Sequence, residues 1–252
     1  MAQTYLYIAL AVVMQGLAGL TGGMMPELLL HKYQSALVAF AAGAMISAAF
    51  LDVFPDAVSA LGRSAFLWGF VGFVALALLE WRMGRHHHHG HHDGPSRSLG
   101  LSLLASDALH NVGDGAAMAA AFLVSPEAGL TVALAVAAHE IPHELGDYAI
   151  LRHVGFGRWP ALLALGSVQL MSGVGALAVI FLAQRFDWLV SWALAVAGGS
   201  FLYIGATDLL PELHSGTTDW ERRIRVAGLA AGVALIALMP LAELAFGLSG
   251  HP

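Results

Sequence analysis

Two short runs place metal-ligating side chains inside strongly apolar parts of the chain. The first is His-Asn-Val-Gly-Asp-Gly at 110–115, and the second is His-Glu-Ile-Pro-His-Glu-Leu-Gly-Asp at 139–147. Ionisable side chains cost several kcal/mol in hydrocarbon, so they occur there where they bind something or line a pathway. The residue types and their spacing therefore indicate a path for transition-metal ions through a membrane.

The first run has helical spacing. Residues four apart lie on the same face of an α-helix, so His110 and Asp114 stack with Asn111 beside them. Asp107 extends this face by one turn toward the start of the helix. Imidazole, carboxylate and amide groups thus line a single face.

The second run repeats the pattern on the next segment. His139 and His143 are four residues apart, with Glu140 alongside. Two such faces turned toward each other would surround Zn²⁺, Fe²⁺, Mn²⁺ or Cd²⁺, whereas Cu⁺ prefers sulfur ligands. His139 favours zinc among these ions. Pro142 cannot donate to the carbonyl of Ala138, which predicts a kink beside the ligands.

The composition indicates a polytopic membrane protein. Of the 252 residues 58% are hydrophobic and 11% are charged, whereas soluble domains carry about 25% charged residues. Cysteine is absent, which excludes disulfides and thiolate metal sites. The chain has no basic run, so we expect the lipid bilayer and not nucleic acid as its partner.

Eight apolar segments approach the length of about 20 residues that a membrane span requires. They lie at roughly 5–22, 35–54, 64–81, 99–124, 128–151, 159–184, 188–209 and 224–248. We therefore predict an all-α fold with eight transmembrane helices, forming one transporter domain over 1–252. The first segment lacks a positively charged start and a cleavage site, so it is expected to remain as a span.

The positive charges predict the orientation. Nine of the eleven Lys and Arg residues fall in one set of alternate connections, and only Arg63 and Arg185 fall in the other. The positive-inside rule then places both termini outside the cytoplasm. The short chain, without a long soluble extension, favours a multi-pass protein of a prokaryotic cytoplasmic membrane.

The third connection, at about 83–98, is rich in histidine and is predicted to be a flexible cytoplasmic loop. Its histidines could capture Zn²⁺ as an accessory to the core site; they are His86, His87, His88, His89, His91 and His92. The alternative is a solvated linker without a function.

The two runs resemble the fourth and fifth helices of the Zrt/Irt-like (ZIP) divalent-metal transporters. The closest subfamily is marked by His-Glu-x-Pro-His-Glu-x-Gly-Asp. The similarity extends from about Asp107 to His153, and both motifs match at every fixed position. Eight spans, outward termini and a His-rich third loop agree with the family over the rest of the chain. The resemblance further implies uptake toward the cytoplasm and a homodimer.

The resemblance also implies a set of site residues. A first transport site would be lined by His110, Asp114, His139 and His143, with Asn111 and Glu140 leaning toward an adjacent second site. Members with glutamate at the position of His143 use it to bridge two metals, which a neutral imidazole cannot do. This difference argues against a binuclear centre, as does the absence of an acid at 169–173.

Three further residues enter through the same resemblance. Met45 would face the site, with a lipid-facing or core-facing side chain as the alternative. Glu144 and Asp147 match the motif one turn further along, where they are predicted to hydrogen-bond the ligand imidazoles.

A second pattern, Asp-x-x-Pro followed by an acid, occurs twice, at 52–56 and at 208–212. The two copies are predicted at opposite faces of the membrane, which fits a 3+2+3 arrangement with an inverted repeat around helices 4 and 5. Our hypothesis is that Asp52 and Asp56 attract ions at the entrance, and that Asp208 and Glu212 receive them, with His214, at the exit. The alternative is that these acids are polar helix ends in the headgroup region.

Three functions compete. The first is transport of Zn²⁺, with Fe²⁺, Mn²⁺ and Cd²⁺ as further substrates and no resident cofactor. The second is an intramembrane metalloprotease, because 139–143 formally satisfies His-Glu-x-x-His. Pro142 argues against it, since it interrupts the regular helix on which such enzymes present the pair. The third is a metal sensor that uses the His-rich loop.

Overall fold

The computed structural model describes residues 2–24, 27–87, 97–186, 188–211 and 218–239, and these ranges contain helices and no strand. The predicted all-α class is confirmed. Eight helices follow one another within the described residues. They are α1 (Ala2–Met24), α2 (Glu27–Ala48, continuing through a π-helical turn at Ala49–Val53 into Phe54–Leu61), α3 (Ser64–His87), α4 (Arg97–Val124), α5 (Pro126–His153), α6 (Arg158–Gln169 and Met171–Ala183), α7 (Trp188–Tyr203, ending in a π-helical turn at Ile204–Leu209) and α8 (Asp219–Ala237).

Several helix ends differ from those predicted. α2 begins at Glu27, eight residues before the predicted start at 35, and α3 continues to His87. α8 begins at Asp219 because Thr218 and Glu221 form a capping box, in which each side chain accepts a hydrogen bond from the other's backbone N–H at 3.2 Å. The apolar pattern finds the apolar parts of the helices but not their polar first and last turns.

Four stretches of the described residues are long and apolar enough to cross a membrane. They are Ala2–Thr21, Ser35–Leu61, Arg158–Ala183 and Trp188–Thr207. The polar side chains of the two metal-ligand runs lower the hydropathy of α4 and α5. These side chains point into the protein, which is how charged groups are tolerated at membrane depth.

The two motif helices lie at the centre of the packing. α4 contacts α5, and each is flanked by a further pair: α1 and α2 pack on α5, while α6 and α7 pack on α4. The outer helices then pair across the bundle, with α8 on α2 and α3 on α7. Each ligand-bearing face is therefore enclosed by helices from both halves of the chain.

Glycines allow the closest of these approaches. A Cβ atom built on Gly115 of α4 would overlap the carbonyl oxygen of Ser172 on α6, and one on Gly175 of α6 would overlap that of Val112. Small residues of this kind let helices in a membrane pack backbone against backbone. The contact fixes α4 against α6 within a few residues of His110.

The two π-helical turns occupy corresponding places in α2 and α7. Each contains an aspartate, Asp52 or Asp208, and each precedes a proline, Pro55 or Pro211. Proline lacks the backbone N–H that an α-helix would use, and a wider turn accommodates the local loss of that bond. Pro142 acts differently, because α5 runs as one continuous helix from Pro126 to His153. The predicted kink does not interrupt that helix.

Candidate metal centre

Four donor atoms from α4 and α5 converge between the two helices. The ligand groups of His110, Asp114, His139 and Glu140 all lie within 4.8 Å of one another. We call these residues the four-donor group. His139, Asp114 and Glu140 are buried, and His110 is 16% exposed on its side chain.

The separations in the four-donor group suit a small divalent ion. His110 Nε2 and His139 Nε2 are 2.9 Å apart, and Asp114 Oδ2 is 3.5 Å from the first and 3.3 Å from the second. Glu140 Oε1 lies 3.9 Å from His110 Nε2 and 3.5 Å from His139 Nε2. Tetrahedral nitrogen and oxygen ligands of Zn²⁺ stand roughly 3.3 Å apart, given metal–ligand distances of about 2.0–2.1 Å. The four donors can therefore close on one ion through small adjustments.

A second cluster lies beside the first. The ligand groups of Asp107, His143 and Asp147 are also within 4.8 Å of one another, and His143 Nδ1 is 3.8 Å from Asp107 Oδ1. We call these residues the three-donor group. The ring centroids of His143 and His110 are 5.0 Å apart, so the two groups are neighbours along α4 and α5.

Within the described part of the chain, both groups contain buried polar atoms without a hydrogen-bond partner. In the four-donor group these are Asp114 Oδ2 and Glu140 Oε1; in the three-donor group they are Asp107 Oδ2, His143 Nδ1 and Asp147 Oδ2. A buried carboxylate oxygen left unsatisfied costs free energy that a cation would recover. The donor set is nitrogen and oxygen only, which fits Zn²⁺, Fe²⁺, Mn²⁺ and Cd²⁺.

Asn111 is the centre of a buried hydrogen-bond network. Its Oδ1 accepts from Gln15 Nε2 at 2.8 Å and from Ser172 Oγ at 3.0 Å, and its Nδ2 donates to Asp107 Oδ1 at 2.8 Å. The amide predicted as a metal ligand thus ties α4 to α1 and α6. The side-chain oxygen of Asn111 already accepts two hydrogen bonds.

Gln169 organises the acids of α5. Its Nε2 donates to Glu140 Oε2 at 2.6 Å and to Glu144 Oε1 at 2.5 Å. The first bond leaves Glu140 Oε1 facing the two imidazoles of the four-donor group. Gln169 is therefore the outer partner that orients this ligand, a role that commonly tunes metal affinity.

A cavity of about 450 Å³ runs beside both groups. Its lining extends along α4 from Ala117 past His110 to Leu103, and it includes Leu79 of α3 and Leu209 of α7. These three leucines lie near the helix ends that face the third and seventh connections. The three-donor group lies between the four-donor group and that end of the cavity.

The grouping differs from the one that the family resemblance implies. Glu140 lies with the first set of ligands, whereas His143 lies with Asp107 and Asp147. Glu144 accepts a hydrogen bond from Gln169, where an imidazole partner had been predicted. The crossing of α4 and α5 decides which of the stacked histidines faces His110, and sequence spacing alone does not.

Neither ligand group includes Met45, Asp52 or Asp56, the outlying candidates whose side chains the structure describes. Met45 is fully buried in the apolar core. Asp52 and Asp56 are partly exposed near the far end of α2. His86 and His87 belong to the last turn of α3, and Asp208 to the second π-helical turn, with side chains that are not described. His88, His89, His91, His92, Glu212 and His214 lie outside the described residues.

Sequence reasoning missed three polar residues that support the site, Gln15, Gln169 and Ser172. Gln15 comes from α1, 96 residues before Asn111, and is fully buried. A signal was available, because a lone amide within an apolar span is costly unless it has a partner. The sequence does not identify that partner.

The sequence matches known proteins over most of its length. The profile of the family described as ZIP zinc transporter matches residues 80–240. A protein of Pongo abelii named zinc transporter ZIP13 is 30% identical over 225 residues, which cover 81% of this chain and 66% of that protein. The Mus musculus protein of the same name is 38% identical over 143 residues, or 56% of this chain and 39% of its own length.

A third relative is the Drosophila melanogaster protein named zinc transporter foi. It is 35% identical over 153 residues, which cover 59% of this chain and 22% of the relative. The chain thus covers less than two thirds of the length of each of these three relatives.

Proposed function

Because this chain belongs to the ZIP family of zinc transporters, we propose that it moves divalent metal ions, above all Zn²⁺, across a membrane. The substrate site is the four-donor group between α4 and α5. The observation that carries this proposal is the convergence of two imidazoles and two carboxylates at separations of 2.9 to 3.9 Å. His143 and Asn111, also predicted as ligands, adjoin this group on the same two helices.

The chemistry of the four-donor group suits a transported ion better than a structural one. Imidazole and carboxylate ligands exchange more readily than the thiolates of closed structural sites. The ligands also border a cavity that extends along α4, so an ion has a route away from them. We therefore treat zinc as the substrate of the protein, with Fe²⁺, Mn²⁺ and Cd²⁺ as competing substrates.

We further propose eight spans in a 3+2+3 arrangement, with α1–α3 and α6–α8 related as an inverted repeat around α4 and α5. The packing supports this, because exchanging the two halves exchanges the observed helix pairs: α1 on α5 with α6 on α4, and α2 on α8 with α7 on α3. The matching π-helical turns of α2 and α7 are a second support. Such repeats place the substrate near the bilayer midplane.

The orientation in this proposal follows the positive-inside rule. The protein lies in the cell membrane with both termini outside the cytoplasm. The third and seventh connections face the cytoplasm. Uptake then runs from Asp52 and Asp56 at the entrance, through the four-donor group, toward Asp208 and Glu212. The direction is taken from the family resemblance.

The protease alternative lacks support from the relatives, which are all named zinc transporters. The position of Glu140 also disfavours it. One of its oxygens accepts from Gln169 and the other lies within the ligand set, so neither is placed as the general base of a hydrolase would be. The sensor role of the His-rich loop is compatible with transport and is tested separately.

The proposal is tested by reconstituting the purified full chain into vesicles that contain a zinc-sensitive dye. External Zn²⁺ should raise the dye signal with wild type and with the control Thr21→Ala, whose exposed hydroxyl donates to the carbonyl of Ala18. His110→Ala and Asp114→Ala should reduce uptake to the level of empty vesicles. A wild-type rate equal to that of empty vesicles would overturn the proposal.

A further inference from the structure

We propose that Asp107, His143 and Asp147, the three-donor group, form a second and separate divalent-cation site that receives the ion from the four-donor group. This inference rests on the proposed function, since it assumes that the four-donor group holds the substrate first. It assigns His143 to the second site, apart from the histidines of the first. The two sites then act in series and share no ligand.

The geometry of the three-donor group is that of a site and not of a structural ion pair. One nitrogen and two carboxylate groups lie within 4.8 Å of one another. His143 Nδ1 and Asp107 Oδ1 are 3.8 Å apart, which is too long for a hydrogen bond. A cation between them would bring both into contact with a common partner.

The buried atoms of this group point to the same conclusion. Asp107 is 2% exposed and Asp147 is 6% exposed. Asp107 Oδ1 accepts from Asn111, but its Oδ2 has no hydrogen-bond partner, and the same holds for Asp147 Oδ2. Two buried carboxylates beside each other are costly without a positive charge between them. A divalent ion supplies that charge.

The position of the group gives the order of the two sites. Asp107 lies one turn before His110 on α4, and His143 and Asp147 lie one and two turns after His139 on α5. Both displacements lead toward Leu103, at the end of the cavity that faces the third connection. An ion leaving the four-donor group toward that end meets the three-donor group next.

The chemistry of the two sites differs in a way that favours this direction. Three protein ligands leave at least one position of the ion open to water, whereas four can complete a tetrahedron. The His143 side chain is 36% exposed, whereas the His110 side chain of the first site is 16% exposed, so the second site is the less enclosed of the two. Ions in neighbouring sites repel each other, and entry of a new ion into the first site promotes release from the second, as in multi-site conduction. The second site thus binds the ion more weakly and speeds its release.

The test compares zinc binding and transport by the full chain in parallel. Purified protein is stripped with a chelator and titrated with Zn²⁺ alone by calorimetry, and the same preparation is reconstituted for uptake. The variants are Asp147→Asn and Asp107→Asn for the second site and His139→Ala for the first. Asp219→Asn is the control, because that carboxylate is 86% exposed and pairs with Arg222 at 3.5 Å.

We expect Asp147→Asn to bind one equivalent of zinc fewer than wild type and to transport zinc about tenfold more slowly. This variant should keep the more tightly bound equivalent, whereas His139→Ala should lose it. Asp147→Glu, which retains a carboxylate, should regain most of the lost equivalent and shows that the loss is not a failure to fold. Unchanged stoichiometry in both Asp147→Asn and Asp107→Asn would overturn the second site, as would loss of every equivalent in either. If His139→Ala also bound and transported like wild type, the proposed function itself would fail.

Discussion

The Nε2 atoms of His110 and His139 lie 2.9 Å apart, although the residues come from different helices. His139 Nδ1 lies 3.3 Å from the carbonyl oxygen of Ala135, one turn earlier on α5, and can donate to it. In that tautomer His139 Nε2 carries a lone pair. A cation between the two helices can bind this lone pair together with that of His110 Nε2.

The shared role of the two rings gives the first prediction. His110→Ala and His139→Ala should each lower Zn²⁺ affinity at least about 100-fold, since each removes a direct ligand and changes to outer partners alone cost about 10- to 100-fold. The double variant should be little worse than either single one, because residues of one site are not additive. Competition titration against a chelator of known affinity measures this. If the losses of binding free energy in the two single variants added up in the double variant, the two rings would not bind the same ion.

The second prediction concerns Gln169, which donates to both Glu140 and Glu144. Gln169→Leu removes both donors and keeps a similar volume, so Glu140 loses the contact that orients it. Zn²⁺ affinity should fall about 10- to 100-fold with the ligands themselves intact. Gln184→Leu is the matched control, because Gln184 is exposed at the end of the same helix. Equal affinities for the two variants would remove Gln169 from the site.

The sequence predicts the ligands well because helical spacing is a local property. Positions four apart on α4 and α5 must share a face, and the cost of burying them identifies that face as the functional one. The partition of the ligands is not local. His139 and His143 satisfy the same spacing, yet only His139 contacts His110 through Nε2, because the crossing of α4 and α5 selects it.

The fold, like the site, is predicted from the sequence only where it depends on local properties of the chain. Apolar length predicts eight helices, and the repeated Asp-x-x-Pro pattern at 52–56 and 208–212 predicts the central place of the two motif helices. Apolar length does not predict the first turns of α2, nor the start of α8 at Asp219, which depends on the capping box of Thr218 and Glu221. Gln15 is a further case, since its partner Asn111 is 96 residues away. Contacts of this range follow from the packing and not from any pattern in the chain.

The third prediction tests the crossing of α4 and α6. Gly175→Ala should lower the thermal stability of the protein in detergent, because the new methyl group overlaps the carbonyl oxygen of Val112. Overpacking of this kind costs about 1–3 kcal/mol. Gly173→Ala, on the same helix, meets nothing within 4 Å and should be neutral or slightly stabilising. Similar melting temperatures for the two variants would count against the close approach.

The fourth prediction concerns the His-rich loop. Deleting residues 86–92 should leave the basal rate of zinc uptake intact, because both ligand groups lie within α4 and α5. The zinc concentration for half-maximal uptake, or its response to internal zinc, should change if the loop captures ions. Uptake assays across a range of zinc concentrations measure both. Loss of all uptake would assign the loop a direct part in the path.

The last prediction uses the bond between Asn111 Nδ2 and Asp107 Oδ1, which is 2.8 Å long and buried. Asn111→Asp should destabilise the protein strongly, because it places two carboxylates in contact and removes the donor between them. The double variant Asn111→Asp with Asp107→Asn reverses the pair, and the new carboxylate at position 111 can still accept from Gln15 and Ser172. Thermal unfolding should therefore show a coupling energy of at least about 1 kcal/mol between the two positions.

The double variant should nevertheless bind less zinc, since it moves a carboxylate out of the three-donor group. Recovery of stability without recovery of binding would separate the hydrogen-bond role of Asp107 from its role as a ligand.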